Sequence, residues 1–175
     1  MTIKASVFIG TSLDGFIARP NGAFDFLPDD GGEEHGYASF IASVDAIVIG
    51  RNTYEVCLAF EQWPYDKPVF VLSTRAIDLP KSQSAMVQRM EGSPTEIVRQ
   101  LAALGFKHLY VDGGITIQRF LGAGLIQRLT ITRVPVLIGS GIPLFGSLPH
   151  DVKLRHVETR PYSSGLVTSE YDVLG

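Results

Sequence analysis

The chain has 175 residues, 45% of them hydrophobic and 19% charged, with a formal charge of −3. That is the size and composition of one globular domain spanning 1–175, and it excludes a disordered chain. The mildly acidic balance argues against a nucleic-acid or membrane-surface binder, which needs a basic face. Cys57 is the only cysteine, so neither an internal disulfide nor a CxxC zinc site is available. The N-terminus is too short and too quickly polar for a signal peptide, and no apolar run reaches the length of a membrane span. A cytoplasmic compartment is expected.

Ile3 to Ile9 reads as a strand ending in Gly10-Thr11-Ser12, and Phe16-Ile17-Ala18 as a short extended piece stopped by Arg19-Pro20-Asn21-Gly22. Pro28-Asp29-Asp30-Gly31-Gly32 is the loosest stretch, a surface loop. A helix is expected over Glu33 to Ser43, where Tyr37, Phe40 and Ile41 share a face. Ala46 to Ile49 is an unbroken apolar run, the pattern of a strand covered on both faces, and a helix follows from about Asn52-Thr53. Val69 to Leu72 reads as another buried strand, and Ala85 to Gln88 as one more. Ser93-Pro94-Thr95-Glu96 is a capping box with proline at the first helical position. The helix it opens runs to Leu104, with Ile97, Leu101 and Leu104 inward and Gly105 as its stop.

His108 to Val111 is a strand ending in Asp112-Gly113-Gly114, and a helix over about Thr116 to Leu121 buries Ile117, Phe120 and Leu121. Strands are expected over Leu129 to Leu137, Val152 to Thr159 and Leu166 to Val173. Strand–helix alternation in the first two thirds implies parallel pairing with right-handed crossovers, and the last third implies antiparallel strands on one edge. The expected fold is a three-layer α/β/α domain with a mixed, mainly parallel sheet.

Ligands of such sheets bind at the carboxyl ends of the strands, and three turns there carry anion-binding chemistry. In Gly50-Arg51-Asn52-Thr53, glycine permits close approach, the helix start offers free N–H groups and Arg51 suits a phosphate. Gly113, Gly114, Ile115 and Thr116 would allow approach to a pyrophosphate. Ser73, Thr74 and Arg75 could hold a 2′-phosphate, favouring NADPH over NADH. Each turn alone also reads as an ordinary cap or polar turn. Together they could line one extended cofactor. The chain contains no G-x-G-x-x-G, Walker A or G-x-S-x-G motif, and its histidines lack metal-ligand spacing. Cys57 sits in a helical pattern as a buried structural thiol.

Five segments, in order, resemble the reductase domain of riboflavin biosynthesis within the dihydrofolate reductase-like superfamily. They are Ser12-Leu13-Asp14-Gly15-Phe16-Ile17-Ala18, Gly50-Arg51-Asn52-Thr53-Tyr54-Glu55, Val69 to Ser73, Asp112-Gly113-Gly114, and Pro135 to Phe145. The resemblance implies a dihydrofolate reductase-like fold with NADPH across the carboxyl ends of the central strands. It implies cofactor contacts from Gly50, Arg51, Thr53, Ser73, Thr74, Arg75, Gly113, Gly114, Ile115 and Thr116. The Ser12–Gly15 loop would flank the nicotinamide and the substrate, and a homodimer is expected of the group. The zinc deaminase domain of the bifunctional riboflavin enzymes has no counterpart here. The carboxylate of dihydrofolate reductase's first helix has no convincing match from Phe24 to His35.

The implied chemistry is hydride transfer to a C=N or C=O of a small heterocycle resembling the uracil reductase substrate of riboflavin biosynthesis. Asp14, Asp25 and Glu34 are candidate proton donors; Trp63 and Phe24 are candidate walls of the substrate pocket. The alternatives are a dihydrofolate reductase and a non-catalytic NADPH-binding module.

Overall fold

The computed structural model describes residues 2–29, 33–81 and 86–175. In chain order the elements are β1 (Lys4–Ser12), β2 (Phe16–Ala18), α1 (Tyr37–Ser43), β3 (Ala46–Gly50), α2 (Arg51–Leu58), β4 (Val69–Leu72) and β5 (Val87–Met90). They continue with α3 (Pro94–Ala103), β6 (His108–Asp112), α4 (Gly114–Gly122), β7 (Arg128–Val134), β8 (Ile142–Pro143), β9 (Leu154–Pro161) and β10 (Val167–Val173).

The main sheet has eight strands in the order β5-β4-β3-β6-β1-β7-β10-β9. Every pairing from β5 across to β7 is parallel, and β10 runs antiparallel to both β7 and β9. β2 and β8 form a separate antiparallel ribbon.

Alternation along the strands sorts the core into two layers. Val48, Leu109 and Val111 face α3 and α4 with Ile97, Leu101, Ile117 and Phe120. Ile47, Ile49 and Tyr110 face α1 and α2 with Val69, Val71 and Tyr54. The unbroken apolar run of β3 follows directly, because both of its faces are covered. On the α1 side Phe40 packs on Phe8 and on Tyr110, each with ring centroids 5.0 Å apart. β5 and β9 are the two edges, and all eight residues of β9 are exposed.

The capping box forms as the sequence reads: Glu96 N donates to Ser93 Oγ and Ser93 N to Glu96 Oε2. Other boundaries differ for identifiable reasons. The first helix starts at Tyr37 rather than Glu33, because Gly36 takes a left-handed conformation (φ 86°) and Glu33 to His35 are drawn to the β9–β10 turn. Leu104 faces solvent at 65% exposure, since α3 ends at Ala103; Gly105 (φ +92°) reverses the chain and Phe106 turns inward instead, 5.3 Å from the Phe70 ring. β7 stops at Val134 because Pro135 has no N–H for the ladder. β5 begins at Val87, while Ala85 and the loop positions Asp30, Gly31 and Gly32 lie outside the described residues.

Candidate functional site

β3 and β6 are neighbours, so the turns at their carboxyl ends meet. A Cβ on Gly50 would sit 2.7 Å from Thr116 Oγ1, and one on Gly113 (φ +98°) would sit 2.6 Å from Thr53 Oγ1. Each turn therefore packs a glycine closely against the threonine hydroxyl of the other. Gly114 fills a comparable role beneath the β2–β8 ribbon, where an added Cβ would lie 3.1 Å from Ile142 and 3.2 Å from Ile17.

These contacts hold the N-termini of α2 and α4 side by side. Both helices have glycine N-caps, Gly50 and Gly113, and neither has a side-chain cap. Their first N–H groups have no side-chain cap, and the positive ends of two helix dipoles lie behind them. α3, outside this junction, closes its own N-terminus with a full capping box.

Beside the junction lies a groove of about 510 Å³. Arg51, Ser73, Thr74, Arg75 and Ile115 line it, so residues from all three sequence turns converge on one cavity. The Ser73 hydroxyl both accepts from Arg75 N (3.1 Å) and donates to Arg75 O (2.9 Å), which fixes the turn that carries Thr74 and Arg75 outward. Arg51 reaches Glu55 at 3.8 Å. Arg75 makes no ion pair among the described residues. The structure adds Arg119, one helical turn beyond Ile115 on α4, and Gly92 at the far wall. Arg119 is invisible to turn-reading because it sits inside a helix; only the i, i+4 spacing from Ile115 could have suggested it.

The three candidate proton donors are placed apart. The Asp14 carboxylate accepts from Gly139 N at 2.8 Å and Ile138 N at 3.2 Å, clasping the β1–β2 turn to the loop before β8. The Ser12 hydroxyl and these two amides hold it below the usual carboxylate range. Asp25 pairs with Arg19 at 2.6 Å and is likewise lowered by that bond. Both are ionised near neutral pH and poorly suited to give a proton. Glu34 is exposed and accepts from Gly36 N at 2.8 Å.

The carboxyl group with the opposite tendency is Asp112, at the end of β6 and immediately before the Gly113 cap. Burial pushes it above the ordinary Asp range, against the lowering effect of the Gly113 amide, which it accepts at 2.8 Å. Around it stand Tyr37, Tyr65 and Tyr110, each raised by burial and secondarily by the charge of Asp112. Sequence reading placed Asp112 in the turn motif but gave it no chemical role; its signal was a carboxylate in the even register of a buried strand.

Trp63 packs edge-on between Tyr54 and Tyr65, and its buried indole N–H has no partner among the described residues. Phe24 lies across Phe60 at 6.1 Å. Cys57 is buried, with its thiol pushed up to about 11 by desolvation, an inert structural group. His108 is held between Ser6 Oγ (2.8 Å) and Ser43 O (2.9 Å), and no cluster of potential metal ligands occurs among the described residues. No described helix is long and apolar enough to cross a membrane.

A mixed sheet with paired, uncapped helix N-termini at a cationic groove defines an α/β domain of the dihydrofolate reductase-like class. Dihydrofolate reductase from Enterococcus faecalis, solved with NADP(H), shares this fold at TM-score 0.63 and 19% identity, covering 97% of this chain and 94% of that one. The RibD C-terminal domain family matches residues 4–168, and the chain belongs to that family.

A Shewanella sp. PV-4 structure, described as a candidate riboflavin biosynthesis protein, aligns at TM-score 0.91 and 38% identity over 99% of this chain and all of its own. The bifunctional deaminase and 5-amino-6-(5-phosphoribosylamino)uracil reductase of Thermotoga maritima aligns at TM-score 0.75 and 15% identity; this chain spans 57% of its length. Bacillus subtilis YwjB, described as uncharacterized, is 31% identical over 169 residues, 95% of this chain and 96% of that protein.

Proposed function

We propose that this protein is an NADPH-dependent reductase that delivers hydride to a C=N or C=O of a small heterocycle. One observation carries the reading: two uncapped helix N-termini converge beside a groove lined by Arg51, Arg75 and Arg119. That donor set suits a dinucleotide carrying three phosphates. The free N–H groups would take the pyrophosphate. Arg75, beside Thr74 on the turn fixed by Ser73, would take the 2′-phosphate in bidentate fashion.

Bound nicotinamide would supply the hydride. The chain's own residues do the rest. Gly50 and Gly113 bring backbone amides close to the cofactor. The β2–β8 ribbon packs on Gly114, close to the α4 N-terminus. Asp112 keeps a proton at higher pH than Asp14 or Asp25 can, and it stands beside the cofactor turn. It is the group we assign to protonating the substrate heteroatom. The same reading carries the homodimer expected of the family, with the exposed β9 edge as its contact, and sedimentation checks it.

The test is a titration with NADPH and, separately, NADH, read by nicotinamide fluorescence. NADPH should bind at least about tenfold tighter, and Arg75→Ala should remove most of that preference. Binding of neither nucleotide overturns the reading.

A further inference from the structure

The Asp14 carboxylate ties two separate stretches of chain together beyond the carboxyl end of β1. We propose that Asp14 is a positioning residue: by gripping the backbone of Ile138 and Gly139 it holds the β2–β8 ribbon and its flanking loops against the nicotinamide half of the cofactor. This rests on the reductase reading above and goes beyond it, because it gives the nicotinamide end a wall of its own.

The parallel strands β4, β3, β6, β1 and β7 lie side by side in that order, with their carboxyl ends on one rim. The Ser73–Arg75 turn follows β4, and the N-termini of α2 and α4 follow β3 and β6. The Ser12–Gly15 turn follows β1, and the 135–141 loop follows β7. A dinucleotide with its 2′-phosphate at Arg75 and its pyrophosphate at the two helix starts therefore has its nicotinamide directed toward β1. β4 and β1 are three strand spacings apart, roughly 14 Å.

Two sets of contacts seat the ribbon there. On the α4 side, Gly114 leaves room for Ile17 and Ile142, and Gln118 Nε2 donates to Pro143 O at 3.0 Å. Leu144, just past β8, is buried in the core. On the other side the two loops are joined to each other. Leu13 N donates to Val136 O at 2.8 Å, and Leu144 N to Gly15 O at 3.0 Å. Between these bonds one Asp14 oxygen takes Ile138 N at 3.2 Å and the other takes Gly139 N at 2.8 Å. Among the described residues no other hydrogen bond reaches the backbone of residues 137–140. The buried Ser12 hydroxyl accepts from Phe16 N at 3.0 Å and fixes the turn that carries Asp14.

The clasp also carries apolar side chains that the fold itself does not bury. Leu13, next to Asp14, is 58% exposed, and Leu137, next to Ile138, is 68% exposed. A single exposed leucine is ordinary, but two on neighbouring loops locked together by a carboxylate offer an apolar wall beside the ribbon. A flat, uncharged ring packs on such a wall. Bonds from amides to a carboxylate are charge-assisted and stronger than neutral ones, so losing Asp14 frees the loop. Asp14 is itself exposed, so its removal opens no cavity in the core.

The experiment compares two ligands on the full chain: NADPH, and adenosine 2′,5′-bisphosphate, which keeps two of the cofactor's phosphates but has no nicotinamide. Calorimetry gives both affinities for wild type, Asp14→Ala, Asp14→Asn and Glu33→Gln, the last perturbed at the β9–β10 turn. Asp14→Ala should bind NADPH about tenfold more weakly and the bisphosphate within about twofold of wild type. Asp14→Asn keeps one acceptor and should fall between; it reads the same split should Asp14→Ala fail to fold. The amides of Ile138 and Gly139 should exchange with solvent faster in Asp14→Ala, and the fluorescence of bound NADPH should drop toward that of the free cofactor. Glu33→Gln should leave the ratio of the two affinities unchanged. Equal weakening of both ligands, an unchanged NADPH affinity, or unmoved exchange at Ile138 and Gly139 overturns the inference while the reductase reading stands. If the wild-type chain binds neither ligand, that reading falls and takes this inference with it.

Discussion

Gly50→Ala and Gly113→Ala make the same kind of clash for different backbone reasons, and a double-mutant cycle separates them. The added Cβ of Gly50→Ala would stand 2.7 Å from Thr116 Oγ1. Thr116 is 7% exposed and β-branched, so it has little room to move. Overpacking of this kind costs about 1–3 kcal/mol. The backbone at Gly50 (φ −76°, ψ 165°) suits alanine without strain. Thr116→Ala, which removes the offending oxygen, should therefore recover most of the loss, with a coupling energy of about 1–2 kcal/mol.

At Gly113 the added Cβ lies 2.6 Å from Thr53 Oγ1, but φ is +98°. Strain of about 1–3 kcal/mol persists whatever Thr53 becomes. Gly113→Ala/Thr53→Ala should stay well below wild type. For a chain of this size each kcal/mol shifts Tm by about 2–4 °C. Thermal unfolding followed by circular dichroism on the two single-and-double series measures both couplings. Strict additivity in the Gly50/Thr116 pair, or full rescue in the Gly113/Thr53 pair, would refute the account of how the turns are knitted.

Other outcomes follow from single residues. Because burial raises the Asp112 pKa, its ionisation destabilises the fold as pH climbs through the folded value; Asp112→Asn should raise Tm at pH 8 and lose that advantage below the unfolded value of about 3.9. In turnover, the wild-type rate should fall with rising pH as Asp112 loses its proton, and the variant's profile should be flat over that range. Glu33 is lowered to about 2, chiefly by the hydroxyls of Ser164 and Ser163, so its contribution is present above about pH 4.3 and fades as pH falls toward 2. Glu33→Gln should thus have a lower Tm than wild type at pH 7, with the two curves meeting in acid. Ser93→Ala removes one half of the α3 capping box and should cost about 1 kcal/mol, seen as a urea midpoint shift with unchanged slope.

Much of this protein was legible in its residues because the signals are local. The apolar run of β3, the capping box at Ser93 and the glycine turns after β3 and β6 each report their own backbone. The order of family-like segments carried the fold. What failed locally failed because a distant partner decided it. Glu33 to His35 have helical neighbours, yet the β9–β10 turn, 130 residues away in sequence, draws Glu33 out of the helix. Leu104 has the right spacing for the core, but Gly105 ends the run one residue early and gives its place to Phe106.

The site divides the same way. The sequence alone placed glycine, hydroxyl and guanidinium groups together at three strand ends, the residue types that suit an anion. Only the tertiary structure decided which groups share the groove, because Arg119 reaches it from inside α4 and the Gly50 and Gly113 turns pack against Thr116 and Thr53 across two strands. It also set the acidities of the carboxyl groups apart. Asp14, Asp25 and Asp112 are the same residue in the sequence, and backbone amides, an arginine and burial set them apart. A carboxyl group's acidity depends on surroundings assembled from distant segments, and those exist only once the chain has folded.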